Sequence, residues 1–416
     1  MASIKPFKAF RPTKENAENL ASFPYDVLNS VEARKLAAGN PQSFLRINKP
    51  EIDLARDINV YDESVYQKGK SNLDDFIQKG WFIQDEKPLL YIYAQRMGKH
   101  LQKGIVACSS IDDYFNDIIK KHEYTRPVKE KDRIDHMYTA GAHLGPVFLA
   151  YKPIKQIDQL IEDWTAKHKP QNQFTSSDEI EHITWLIDDE TTIKQLMSIF
   201  EGQVKHTYVA DGHHRSAASA IVGQRMREEQ VNHTGNEDYN YFLSVLFPAD
   251  QLMIIDYNRV IKNLLPDIST DEFLTALLSN FTVIPEDGQV RPSVPGEFGL
   301  YIDKQWYRLT ADPSICSSTD PVACLDISIL STYVIDPLLG IADQRTDNRI
   351  DFVGGIRGLD ELERRVDNGE MKLAFAIPSV SMDQLINVAD SGNVMPPKST
   401  WFEPKLRSGL FVHKFK

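Results

Sequence analysis

The 416-residue sequence predicts an α/β fold, or α+β in its local arrangement, built on mixed sheets. Three observations carry this. Short apolar runs rich in aromatic and β-branched residues alternate with segments whose apolar residues recur every three or four positions. Two capping boxes mark helix starts beyond Tyr257. No internal repeat or low-complexity tract interrupts the alternation. At 42% hydrophobic and 25% charged residues the chain can build a substantial core, and its composition is not that of a disordered protein.

In order, turn signals ("SFPYDVLNS", "AAGNPQSF") precede a helix-like segment over Ser71–Lys79. "PLLYIYAQRM" and "KGIVACSS" read as strands of a hairpin across "GKHLQKG". From Ile111 the spacing of Tyr114, Phe115, Ile118 and Ile119 predicts a helix ending near Lys121. "PVFLAY" is a buried strand, and "IKQIDQLIEDW" an amphipathic helix with Ile154, Ile157, Leu160, Ile161 and Trp164 on one face. "HITWLI", "IKQLMSIF" and "HTYVA" continue as strand, helix and strand, and "YFLSVLF" and "LMIIDY" add strands. Ser269 with Glu272 caps the helix "DEFLTALLSN", and Ser381 with Gln384 caps "MDQLINVAD", closed by Gly392. Strand-like "FGLYID", "WYRLT" and "KLAFAIP" lie between them. Pattern shifts suggest regions 1–105, 106–255 and 256–416.

Formal net charge is −12. Duplex nucleic acid, which needs a basic face to neutralise phosphates, is therefore not the expected main partner. An anionic small molecule stays compatible, because a pocket can be positive inside an acidic body. No apolar run reaches the roughly 18 residues that span a bilayer, so no membrane partner is expected. The opening "MASIKPFKAFRPTKEN" lacks an apolar stretch, so no secretory signal is read and the cytoplasm is the expected address. Cys108, Cys316 and Cys324 are too few and scattered for a disulfide framework or metal cage. Nothing in the sequence sets an oligomeric state.

The stretch "KHTYVADGHHRSAASAIVGQRM" places Asp211, Gly212, His213, His214 and Arg215 between a strand and a helix opening near Arg215. The first N–H groups of a helix have no intrahelical partner and the macrodipole is positive there, so the junction suits an anion. Gly212 permits close approach or a positive φ. Arg215 offers bidentate contacts to phosphate oxygens, and the histidines further donors. Asp211 can orient a histidine or help hold Mg²⁺. The plainer reading makes Asp211 a helix cap and the histidines solvated.

"KKHEYTRP" begins like a His-Glu-x-x-His zinc helix, but Arg126 stands at the fifth position and Pro127 is expected to end any helix there. A zinc site from His122, His213 and His214 has no helical or knuckle spacing behind it.

With its context the motif resembles the ParB/sulfiredoxin-like fold, in which a Gly-x-x-Arg-x-x-Ala element (here Gly212, Arg215 and Ala218) cradles nucleotide phosphates. "VADGHHR" looks most like the free L-serine kinases, which form O-phospho-L-serine. "KKHEYTR" is similar to that family's upstream His-Glu segment, and "NVMPPKSTWFEPK" resembles its Pro-Lys-Thr-Thr substrate segment. The three occur in the family's order, and the resemblance runs from about Ile111 to the C-terminus. Residues 1–105 would be an added N-terminal region and 256–416 a C-terminal α/β domain contributing the substrate segment. Phe402 stands where the family has a histidine that contacts substrate, and Ser399 replaces the first threonine.

The resemblance implies that Asp211–Arg215 hold the donor's phosphates and Glu123 accepts the serine hydroxyl proton. Lys398 would meet the transferring group or the substrate carboxylate. Ser399, Thr400, Arg126, Arg133 and Arg259 are further substrate-binding candidates, with Asp211 a Mg²⁺ ligand. The donor is pyrophosphate, ADP or ATP. Neither a P-loop nor a protein-kinase motif set is present, and with no stretch reading as an adenine pocket the lean is towards pyrophosphate. Two other readings compete. One is a ParB-like nucleotide-binding module without kinase activity, which predicts a basic helix-turn-helix; the other is a histidine-based metallohydrolase, which predicts bound zinc.

Overall fold

A computed structural model describes residues 1–416. The expected fold class holds: helices and strands alternate and the sheets are mixed. The chain divides into two compact units. The first comprises Met1–Lys121, Thr125–Leu252 and Pro404–Lys416, and the second His122–Tyr124 with Met253–Glu403. The boundary expected at residue 105 falls inside the strand His100–Ser110.

The first unit is built on a nine-stranded sheet. Its strands run in the order Ile119–Lys120, Thr207–Asp211, Val147–Tyr151, Tyr241–Pro248, His100–Ser110, Leu90–Met97, Ile180–Ile187 and Asn172–Thr175, with Ile4–Lys5 paired to His100–Ser110. Val147–Tyr151 runs parallel to Tyr241–Pro248, and Thr207–Asp211 parallel to Ile119–Lys120; the other pairings are antiparallel. Val147–Tyr151 is buried throughout, as a run without polar alternation requires.

The amphipathic reading of "IKQIDQLIEDW" is realised as the helix Lys155–Lys167, which buries Ile157, Ile161 and Trp164. The helix Glu190–Gln203 adds Ile193, Leu196, Ile199 and Phe200 to the same core as Ile92, Ile105, Leu149, Val209 and Leu246. Truncating Leu196 to alanine there would cost about 2–5 kcal/mol.

Local expectations shift in four places. The hairpin turns on Gly98 and Lys99 alone, since Met97 already pairs with His100. The helix expected over Ser71–Lys79 starts earlier and spans Glu63–Gln78, with the Asp62 side chain accepting from the Ser64 N–H. The helix from Ile111 stops at Phe115. There Asp117 takes φ 57° and Ile119–Lys120 becomes an edge strand beside Thr207–Asp211, so the apolar spacing of Ile118 and Ile119 served a sheet. Pro127 does not end a helix but begins one, Pro127–Ala140. Proline is well suited to the first helical position, where its missing N–H has no partner to lose.

The second unit carries a six-stranded antiparallel sheet in the order Phe281–Glu286, Gln305–Ala311, Glu297–Ile302, Leu373–Ala376, Tyr257–Ile261 and Ile350–Gly354. "LMIIDY" splits at Asp256: Met253–Ile255 pairs with Trp401–Glu403, whereas Tyr257–Ile261 enters the larger sheet. Asp256 marks the break by accepting from the Gly355 N–H at its carbonyl (2.7 Å) and from Asn258 at its carboxylate (2.5 Å). Both predicted capping boxes are closed, Ser269–Glu272 on Thr270–Leu277 and Ser381–Gln384 on Met382–Asp390.

Candidate functional site

In the first unit, the buried strand Thr207–Asp211 loses its register between Val209 and Asp211 and delivers the chain to Gly212. Gly212 sits at φ 95°, ψ 36° and is the N-cap of the helix His213–Glu229. The helix therefore begins two residues before the expected Arg215, and both histidines lie in its first turn. Gly212 supplies no side chain, and no side-chain hydrogen bond caps this helix. The positive φ favours glycine here, and a Cβ would stand 3.1 Å from the Arg215 guanidinium carbon, so the guanidinium would have to shift by a few tenths of an ångström. Behind the start, Ala217, Ala218, Ala220 and Gly223 are buried. A Cβ on Gly223 would meet the Tyr239 carbonyl at 2.3 Å, so the small residues do let the helix pack closely.

The polar groups of this start are closely constrained. Lys405 Nζ lies 3.2 Å from the Asp211 carboxylate, and Arg215 Nη2 3.9 Å from it. Burial opposes ionisation of Asp211, but Lys405 and then Arg215 prevail and hold the carboxyl well below the usual range. His213 is buried, and burial lowers its pKa to about 4 against the pull of Asp211. His214 Nε2 accepts the Arg126 backbone N–H at 3.0 Å, which leaves Nδ1 as its protonated nitrogen when neutral. Arg215 is 7% exposed and donates through Nη1 to the Pro146 carbonyl. Its Nε is buried with no hydrogen-bond partner. Arg11 Nη1, Arg365 Nε and Arg407 Nη1 share that state, so what sets Arg215 apart is its position at the start of a helix, where an anion is favoured.

Other first-unit candidates sit differently. Arg126 is exposed and contributes its backbone. Arg133 lies over the Tyr25 ring at 4.0 Å and donates to Asp132 at 3.0 and 2.7 Å. It lines one cavity with Arg215, Tyr25, Asn48, His136 and Ser408. Lys405, missed in the sequence reading, is 194 positions from its partner Asp211 and carries no local signal.

In the second unit the structure brings two of the quoted motifs together. His122 Nε2 lies 3.3 Å from Thr400 Oγ1 and the His122 carbonyl accepts the Met395 N–H at 2.8 Å. The segment bearing Glu123 thus adjoins the Pro396–Thr400 turn. In that turn Lys398 takes φ 58°, and its ammonium is 5.8 Å from the Tyr257 ring centre. Ser399 donates to the Pro396 carbonyl at 2.6 Å. Arg259, expected to meet substrate, is instead 1% exposed and spent on backbone carbonyls: Tyr257 at 2.5 Å, Pro397 at 2.8 Å and Lys398 at 2.9 Å. Phe402 is buried and opposite Ile254 in a strand pair, as a packing residue would be. No group of three or more His, Cys, Asp or Glu side chains is placed to hold a metal ion. No helix is long and apolar enough to cross a membrane.

A family described as "Protein of unknown function (DUF1015)" matches residues 4–328. No curated protein matches the chain. Similar solved structures include a conserved hypothetical protein from Pyrococcus furiosus, at 14% identity and TM-score 0.36, covering 74% of this chain and 95% of that one. Free serine kinase in complex with AMP is another, at 13% identity and TM-score 0.36, covering 72% and 86%. SbnI with C-terminal truncation from Staphylococcus aureus is a third, at 9% identity and TM-score 0.39, covering 74% and 87%.

Proposed function

The chain belongs to the DUF1015 family, and from its own residues we propose that it is a small-molecule kinase that phosphorylates free L-serine to O-phospho-L-serine. The observation that carries the proposal is the start of the helix His213–Glu229. Here a helix start without a side-chain cap, a glycine at φ 95° and a buried arginine occur within four residues. The N–H groups of a first helical turn, the positive end of the dipole and a guanidinium together suit phosphate oxygens.

The donor's phosphates are held by the N–H groups of that first turn and by Arg215, with His213 kept neutral by burial. The donor is pyrophosphate, ADP or ATP. Mg²⁺, when bound, would neutralise charge on the donor oxygens, taking one or two protein carboxylates and completing its shell with phosphates and water. Asp211 is the carboxylate at this helix start, and its ion pair with Lys405 is what such an ion would compete with. Glu123 takes the proton of the serine hydroxyl as that oxygen bonds to the terminal phosphorus. The bond to the donor's bridging oxygen breaks, and the donor leaves shortened by one phosphoryl group. Lys398 meets the negative charge of the transferring group or of the serine carboxylate. Positioning and charge neutralisation suffice for such a transfer, with no covalent enzyme intermediate. The adjacency of the Glu123 segment and the Lys398 turn supports assigning both to the acceptor.

The test is to incubate purified protein with Mg²⁺, L-serine and, separately, ADP, ATP and pyrophosphate, and to measure phosphoserine. Product with at least one donor is expected. Nucleotide binding without product from any donor would replace this reading by that of a nucleotide-binding module. Homoserine, threonine and glycerate run alongside test the acceptor, since Phe402 replaces a histidine of the resembled family.

A further inference from the structure

Arg259 lies on the strand Tyr257–Ile261 inside the antiparallel sheet of the second unit and is 1% exposed. Burying a cation without a carboxylate is costly, and a well-packed apolar residue would generally be as stable. Burial pushes this guanidinium's pKa down to about 9. What surrounds it is a set of acceptors: the Tyr257, Pro397 and Lys398 carbonyls at 2.5, 2.8 and 2.9 Å and Gln344 Oε1 at 3.4 Å. The Phe352 ring centre is 4.8 Å away.

These contacts form a directed chain. The Ser331 hydroxyl donates to the Ile327 carbonyl at 2.6 Å and accepts from Gln344 Nε2 at 2.7 Å. Gln344 then turns its oxygen to Arg259. Ser331 opens a π-helical turn, Ser331–Ile335, a form often met at functional positions. At the far end the guanidinium grips the two residues whose backbone needs holding. Lys398 is at φ 58°, in the left-handed region that side chains other than glycine, asparagine and aspartate rarely occupy. Such a conformation persists only where the surroundings over-determine it.

We infer that Arg259 is a positioning residue: through Pro397 and Lys398 it sets the left-handed turn that aims the Lys398 ammonium, with Gln344 and Ser331 setting Arg259. This rests on the reading of Lys398 as a residue of the phosphoryl-transfer site. A lysine side chain has four flexible methylenes, and a geometry-dependent step needs its backbone anchor fixed.

The test uses full-length protein with Arg259→Met, Arg259→Lys and Gln344→Leu. The first readout is tryptic cleavage at the Lys398–Ser399 bond under native conditions, followed by mass spectrometry. Cleavage at this bond is expected to be fastest in Arg259→Met, intermediate in Arg259→Lys and mildly raised in Gln344→Leu, with other sites unchanged. The second is steady-state kinetics: kcat should fall by up to about 10²-fold in Arg259→Met, the scale of a small misplacement of a reacting group, with KM for the phosphate donor unaltered. Lysine keeps the charge but lacks the planar fork, so it should rescue only in part. Should Arg259→Met not fold by circular dichroism, Arg259→Lys and Gln344→Leu carry both readouts. Unchanged cleavage at Lys398 in the folded variants, or faster cleavage with unaltered kcat, overturns the inference. Failure of the kinase reading shows separately, as no phosphoserine from the wild-type protein with any donor, and the cleavage readout does not depend on it.

Discussion

Two buried arginines, one in each unit, are provided for in opposite ways. Arg259 has acceptors from three carbonyls and a glutamine amide. Arg215 has one carbonyl, two carboxylates at 3.9 Å and an Nε with no partner. A guanidinium whose donors are satisfied by backbone holds its own chain in shape. One at a helix start without a side-chain cap is, in the function proposed above, the one that meets the phosphate donor. The helix starts repeat the contrast. Met382–Asp390 and Thr270–Leu277 are closed by their own capping boxes, whereas His213–Glu229 has no side-chain cap.

The largest effect that would sharpen this division is expected from Glu123→Gln. Removing a general base costs about 10²–10⁴-fold in kcat, while stabilisation of the protein by the phosphate donor should persist. Thermal melts with and without donor would show whether the two losses separate; if donor binding disappears as well, the roles are not divided as drawn.

Acid titration comes next. Burial pushes the His213 pKa down to about 4 in the folded protein, from about 6.5 for an unperturbed histidine. Between those values the unfolded chain holds the extra proton, so stability is full above the upper value and is lost as pH falls towards the lower one. Replacing His213 by asparagine should flatten the fall in urea-unfolding free energy across that window by up to about 1.4 kcal/mol per pH unit, the contribution of one proton. An unaltered slope would mean that His213 is protonated in the folded protein.

Arg215→Met should abolish most of the stabilisation by the donor, about 2.7 kcal/mol at a hundredfold excess over the dissociation constant. Arg259→Met should leave that ligand-induced shift in place. Equal shifts in the two variants would erase the distinction between the arginines. The smallest effect is expected for Ser381→Ala, which opens one capping box at a cost of about 1 kcal/mol in chemical denaturation without touching the donor response.

Much of this is legible in the sequence. The strand before Gly212, the core face of Lys155–Lys167 and both capping boxes follow from spacings within a few residues. Local pattern misled where one signal serves two structures. Pro127 reads as a terminator but sits at a helix start, and the spacing of Ile118 and Ile119 predicts a helix where the chain forms a turn and an edge strand. Arg259 is a different case: an arginine beside aromatic residues reads the same in sequence whether its donors face a ligand or, as here, its own backbone.

By themselves the residues determined the α/β alternation and a glycine-hinged, arginine-bearing helix start, because hydrogen-bonding and steric rules act over three or four positions. Only tertiary structure decided that Lys405 would neutralise Asp211 from 194 positions away, that His122 would meet Thr400 across 278, and that Arg259 would face carbonyls. Those pairings depend on burial, which sets both the cost of a charge and the value of its partner, and burial is a property of the packed chain.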